Sequence, residues 1–316
     1  MDREDPADYN PERVSLTPHN FLASSRQAER MTTTTVEPRT LRVGHSPDSD
    51  DAFMFYALTH DKIDTGGLRF VHQLEDIETL NRRAELGELE ISAISIHAFA
   101  HLADKYALLA SGSSMGDRYG PKLIARSPMT LETLRSSRAT VAIPGKLTTA
   151  YLTLQLCLGK EVPIVVMPFD QILPAVMDGR VDVGLIIHEG QLYYPDKGLH
   201  QIADLGEWWF GETGLPLPLG GNVVRKDLGP DLVAKVARLI KESIVFALEN
   251  REEALAYALT YARDLDPALA DRFVGMYVNE WTVDYGPRGR EAVQLLLTRA
   301  WEAGLVPAPV EVQFVG

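Results

Sequence analysis

Among the 316 residues of this chain, the side chain whose type and setting best suit chemistry is His188. It follows Val181-Asp-Val-Gly-Leu-Ile-Ile, a run that reads as a strand buried on both faces. Ligands of open α/β sheets bind beyond the carboxyl ends of the strands, so this strand aims an imidazole at a site. An intrinsic pKa of about 6.5 makes that imidazole the natural general base at neutral pH. Gly190 leaves room for a ligand or a neighbouring backbone, and Glu189 points away if strand geometry continues. A lone histidine at a strand end is more often structural, so position alone does not establish catalysis.

Hydroxyls form the second set. Ile143-Pro-Gly-Lys-Leu-Thr-Thr-Ala reads strand, turn, helix, with Thr148 and Thr149 at the helix start. Free backbone N–H groups and two hydroxyls there would receive a carboxylate or phosphate, or Thr148 is simply an N-cap. Ser92 and Ser95, beside the run Ile91 to Ile94, offer further hydroxyls from an opposite lobe. The cluster Asp48-Ser49-Asp50-Asp51 has the look of a divalent-cation cage. With Ser46 and Pro47 it also precedes the apolar run Ala52 to Leu58, where N-capping and compensation of the helix dipole need no ion. Gly112-Ser113-Ser114-Met115-Gly116 matches the nucleophile-elbow spacing, but Asp117-Arg-Tyr-Gly-Pro breaks the helix an elbow must feed, so the stretch reads as a flexible loop. No phosphate-binding P-loop, dinucleotide fingerprint or H-E-x-x-H string is present.

The elements that must position these residues follow from periodicity. Leu41-Arg-Val-Gly then Asp51 to Thr59, Leu68 to Gln73 then Ile77 to Leu86, and Ile91 to Ile94 then His97 to Asp104 have the cadence of parallel β-α units, which predicts a parallel sheet. The cadence restarts at Thr140-Val-Ala-Ile and runs to Ile187, predicting a second sheet. Gly120-Pro-Lys-Leu-Ile-Ala-Arg-Ser and Gly221-Asn-Val-Val-Arg-Lys bracket that second set and read as hinge strands, where the chain crosses between lobes and back. Four amphipathic helices after Arg225 are expected to cover the first lobe. The predicted organisation is a mobile tail over 1–39, a first lobe over 40–121, a second over 122–221, and a return to the first over 222–316.

Composition bounds the function. The net charge of −13 repels phosphate backbones and anionic lipid, which argues against nucleic-acid binding. The single cysteine, Cys157, can form neither an intramolecular disulfide nor a structural zinc site, and its apolar setting predicts a buried, inert thiol. No apolar run approaches the roughly 18 residues of a membrane span. The start, Met-Asp-Arg-Glu-Asp, lacks a secretory pattern, so the expected location is cytoplasmic.

Seven ordered strings carry a resemblance: His45-Ser-Pro through Asp51-Ala-Phe, Ser95-Ile-His-Ala, Asp104-Lys-Tyr-Ala-Leu-Leu, Gly120-Pro, Pro144-Gly-Lys-Leu-Thr-Thr-Ala, Ile187-His-Glu-Gly and Tyr277-Val-Asn-Glu-Trp-Thr. Together they resemble the 1,4-dihydroxy-6-naphthoate synthase family of the futalosine route to menaquinone, from about Leu41 to Pro307. The resemblance implies an α/β fold of two lobes like type II periplasmic binding proteins, with two sheets and an interlobe ligand cleft. It implies a carbon–carbon lyase with a small carboxylate substrate, no redox cofactor and no metal, and no particular oligomeric state. His188 would be the base that opens the ring of cyclic dehypoxanthine futalosine, ahead of carbon–carbon cleavage. Thr148 and Thr149 would hold the substrate from the second lobe, and Ser46, Ser92 and Ser95 from the first.

The chain departs from that family's usual Ser-Pro-Cys-Pro-Asn-Asp-Thr-Phe by carrying Asp48, Ser49, Asp50 and Ala52 in the same frame. The added carboxylates either sit at the helix dipole or face the cleft and select a different ligand. Arg118 is placed to compensate their charge. Two other readings fit the same fold: a solute-binding protein for a small carboxylate without chemistry, and the sister enzyme that dehydrates chorismate.

Overall fold

The computed structural model describes residues 39–261 and 266–316; the tail predicted over 1–39 lies outside them except for Arg39. Twelve strands are found among the described residues. In chain order they are β1 (Arg39–His45), β2 (Leu68–Leu74), β3 (Ile91–Ser95), β4 (Tyr106–Leu109), β5 (Ser114–Gly116), β6 (Lys122–Ala125), β7 (Val141–Ile143), β8 (Ile164–Val166), β9 (Val183–Ile186), β10 (His200–Asp204), β11 (Leu217–Arg225) and β12 (Phe314–Val315).

Two sheets result. The first runs β12-β4-β11-β3-β1-β2, with β5 paired to the start of β11; the second runs β10-β6-β9-β7-β8. Consecutive strands joined by a helix pair in parallel as the cadence predicts: β1 with β2 from Arg39 opposite Leu68 to His45 opposite Leu74, and β7 with β8 and β9. β1 also pairs with β3, and β12 with β4, in parallel, and there the expectation of parallel sheets ends. β11 is antiparallel to both β3 and β4, and β6 is antiparallel to β9 and β10. These strands sit where the chain passes from one sheet to the other. Each enters from the other sheet and not through a β-α-β crossover within its own, so nothing obliges it to run with its neighbours. Ser114 also departs from the loop expected there, because β5 pairs with Leu217–Gly220.

Both sheets are covered on both faces, which explains strands apolar at nearly every position. Helix Pro230–Glu249 begins with proline in its first turn, where the missing N–H costs nothing. Its Val233, Val236, Ala237, Ile240 and Ile244, three and four apart, pack on Leu41, Val43, Ile91 and Val224. Helix Gly286–Glu302 sets Val293, Leu296 and Leu297 against Ile94, Leu108 and Val223 on the other face. In the second lobe, helix Thr149–Leu158 packs on Leu123, Val141 and Leu185, and helix Phe169–Met177 on Ile124, Ala142 and Ile186. Cys157 is buried in the first of these helices, and burial pushes its thiol up to about 11, away from reactivity.

Apolar packing of Leu147 and Leu152 on the first lobe's core joins the lobes, and specific hydrogen bonds add to it. Glu78 of the first lobe accepts the Leu147 N–H at 2.9 Å, and the His97 N–H donates to the Thr149 hydroxyl at 3.1 Å.

Candidate active site

A cavity of about 120 Å³ lies between the lobes, with walls from the turn after β1, the end of β3, the glycines of β11, the start of helix Thr149–Leu158 and the turn after β9. His188 enters it because β9 ends at Ile186 and the chain bends. Its ring packs on Phe169, centroids 3.6 Å apart, and its Nδ1 lies 2.9 Å from Asp48 Oδ2. A carboxylate can only accept, so Nδ1 carries the hydrogen and the ring's basic lone pair is on Nε2.

Asp48 is the main correction to the sequence reading. It occupies the N-cap position of helix Ser49–Met54 but makes no side-chain cap. Its carboxylate instead accepts from the Ser46 hydroxyl at 2.9 Å and from His188, and the residue is only 4% exposed. Ser46 is fixed in turn. Its N–H donates to Asp51 at 2.6 Å, and its carbonyl accepts from His45 Nδ1 at 3.0 Å. With Nδ1 donating, His45 Nε2 accepts from His72 Nδ1, also at 3.0 Å. Burial holds both rings neutral, at about 4 for His45 and about 3 for His72. Ser46 thus lines the cavity with its hydroxyl committed to Asp48.

Ser95 reaches the cavity in a defined orientation. Its N–H donates to Asn81 Oδ1 at 2.8 Å, so the Asn81 amide nitrogen faces the Ser95 hydroxyl, 3.1 Å away. That hydroxyl must accept, which directs its own hydrogen elsewhere. Ser92 lies one residue off the required side of β3: it does not line the cavity, and its hydroxyl donates to the Ala93 carbonyl.

Thr148 and Thr149 line the cavity, yet both hydroxyls serve the chain. Thr148 is an N-cap, accepting from the Tyr151 N–H and donating to the Gly145 carbonyl. Thr149 donates to the Leu219 carbonyl at 2.6 Å and accepts from His97, tying the lobes together.

Asn222 escaped the sequence reading. It faces the cavity from β11, opposite Ala93, and is 1% exposed. Its amide nitrogen donates to the Gly112 carbonyl, so the other atom is the oxygen, which accepts from no described residue. The signal was a polar residue inside an apolar strand, directly after two glycines. Gly112 holds a φ of +83°, and a side chain there would collide with Asn222.

The remaining charges were also partly misread. Glu189 does not point away, because strand geometry stops at Ile186; its carboxylate joins Asp48 and His188, with one donor atom of each within 4.8 Å of the others. That spacing can hold a divalent cation, while the Asp48–His188 contact is also the one a proton makes unaided. Asp50 lines the cavity and is pushed well above the usual carboxylate range by burial and by the charges of Asp51, Asp48 and Glu189. Burial raises Asp51 to about 6, against the lowering effect of the Ser46 N–H. Arg118 does not compensate them; its guanidinium lies over the Phe210 ring, 4.3 Å from the centroid. Gly190 is not demanded by packing, since an added Cβ would meet Leu173 at 3.4 Å, an ordinary contact.

Two mixed sheets joined by crossing strands, with a cavity between them, define a protein of the periplasmic-binding-protein fold. The fold is shared with the alkanesulfonate-binding protein SsuA of Xanthomonas axonopodis pv. citri, at a TM-score of 0.65 and 15% identity over 88% of this chain and 99% of that one. Within that class, the menaquinone biosynthesis family model matches residues 41–302. The 1,4-dihydroxy-6-naphthoate synthase of Streptomyces coelicolor is 40% identical over 85% of this chain and 95% of its own. That of Thermus thermophilus is 42% identical over 85% and 97%. The chain belongs to the menaquinone biosynthesis family.

Proposed function

We propose that this chain is a carbon–carbon lyase that converts cyclic dehypoxanthine futalosine to 1,4-dihydroxy-6-naphthoate, with His188 as the general base that starts ring opening. The observation that carries this reading is the imidazole in the interlobe cavity, its Nδ1 held by Asp48, in a chain whose relatives bear that enzyme's name. A neutral imidazole takes a proton near neutral pH, and closed lobes exclude the water that would compete for it. The cavity's polar groups support a ligand with oxygens of both kinds. The Ser95 hydroxyl has a hydrogen to give, and the buried Asn222 oxygen can accept from a sugar hydroxyl. Asp50, shifted toward its neutral form, repels an anionic ligand less than an ionised aspartate would.

Under this proposal His188→Gln abolishes turnover while leaving ligand binding measurable by calorimetry. Undiminished turnover in that variant rejects the mechanism. Incubation with chorismate in parallel, followed by mass spectrometry, separates the lyase from the sister dehydratase. Binding of a carboxylate without any product points to the solute-binding reading.

A further inference from the structure

We propose that Asp48 is a positioning residue for His188: the two form an imidazole–carboxylate pair in which Asp48 fixes the ring's orientation and tautomer and stabilises the imidazolium formed when the ring accepts a proton. This deepens the reading of His188 as base and rests on it.

Three observations carry the inference. The Asp48 side chain forgoes the helix cap its position offers and turns to Ser46 and His188 instead. It is almost fully buried, where an unpaired carboxylate would be costly. It is also held through Ser46, whose carbonyl accepts from His45, itself bonded to His72, while the Ser46 hydroxyl binds the carboxylate itself. The sequence pattern that this chain resembles has cysteine at this position, so the pair belongs to this variant of the motif. The proton balance is simple. One proton leaves the ligand and arrives on His188 Nε2; the Nδ1 hydrogen stays on the ring, and Asp48 remains ionised throughout.

Other titratable groups line the pockets that His188 borders. Asp50 and Asp51 come from the first helix and Tyr277 from helix Pro267–Tyr277. Glu189 follows on the same turn, and Asp170, Asp178, Tyr193, Asp196, Lys197 and Asp266 line the outer pocket that His188 also borders. All of these are retained when Asp48 alone is changed; because the Asp48 charge helps to raise Asp50 and Asp51, the charge-conserving Asp48→Glu is the control for their response.

The test uses the full chain with Asp48→Asn, Asp48→Glu and His188→Gln. The His188 resonance is assigned by its loss in His188→Gln, and its titration is followed by NMR. In Asp48→Asn the midpoint is expected to fall by about one pH unit, as removal of an adjacent opposite charge requires. The kcat is expected to fall by roughly 10²- to 10⁴-fold with KM within about threefold, and Asp48→Glu to recover at least tenfold of that loss. An unchanged His188 midpoint in Asp48→Asn overturns the pairing, even where His188→Gln is inactive and the base reading survives. If Asp48→Asn does not fold, the midpoint in Asp48→Glu decides: it stays near the parent value if the pair exists. Loss of parent activity on EDTA dialysis, restored by zinc or manganese, also overturns the proposal, because Asp48 would then be a cation ligand. If no turnover is found in any form, the NMR midpoint still judges the pair.

Discussion

Single atoms decide what each hydroxyl in the cavity can do. Five were expected to meet a ligand, and the hydrogen-bond partners sort them. Ser95 has its hydrogen free for use because Asn81 supplies the bond it accepts. Ser46, Thr148 and Thr149 give their hydrogens to Asp48, the Gly145 carbonyl and the Leu219 carbonyl. Ser92 sits off the cavity altogether. Ser95→Ala should therefore raise KM about tenfold, the value of one lost hydrogen bond to a charged or polar ligand group. Ser92→Ala should leave it within about twofold. Steady-state kinetics on the two variants checks the contrast, and equal effects would show that the cavity wall has been assigned to the wrong side of β3.

At the scale of elements, the helix opening at Thr149 joins both lobes. Its N-cap closes its own first turn, and the next residue reaches across to β11 and His97. Thr148→Ala is expected to lower stability by about 1 kcal/mol, the usual loss for an N-cap, measured by urea unfolding. An unchanged midpoint would mean that the Tyr151 N–H finds another acceptor. The same element shows where local sequence signals fall short. The string Pro144 to Ala150 announced a helix start, but capping and ligand binding use the same atoms in the same geometry, so only the partners could tell them apart. Likewise the Asp48 to Asp51 run read as a capping cluster because local spacing is all a sequence displays. The histidine that draws Asp48 away is 140 residues further along the chain.

Over the whole molecule, buried titratable groups link stability to pH. His45, His72 and His97 sit at about 4, 3 and 4, chiefly because burial disfavours their charged forms. An unfolded histidine titrates at about 6.5, so between that value and 4 the unfolded chain binds protons that the folded chain refuses. Stability supplied by these three is complete above about 6.5 and is lost as the pH falls. Asp51, at about 6, and Asp50, also raised, act in the opposite sense: the folded state binds their protons first. Three imidazoles against two carboxyls leave a net uptake on the order of one proton on unfolding near pH 5. The unfolding free energy should therefore decline from pH 6.5 to 5, and His97→Gln should flatten that decline. Denaturant titrations at the two pH values test it; a stability that holds constant or rises on acidification contradicts the assignment.

The sequence by itself determined the alternation of strands and helices in the β-α runs, the two-sheet architecture and the placing of His188 beyond a strand end, but not β4, β5, β10 or β12. What it determined follows from periodicity and from chain connectivity. It did not determine the antiparallel course of β6 and β11, because no local pattern records from which lobe a strand enters its sheet. Nor did it show that Asp48 meets His188, that Glu189 joins them, or that Asn222 faces the cavity. Those depend on backbone turns and on contacts between segments far apart in sequence. A side chain's partner is fixed only when the packing of whole elements brings the two together.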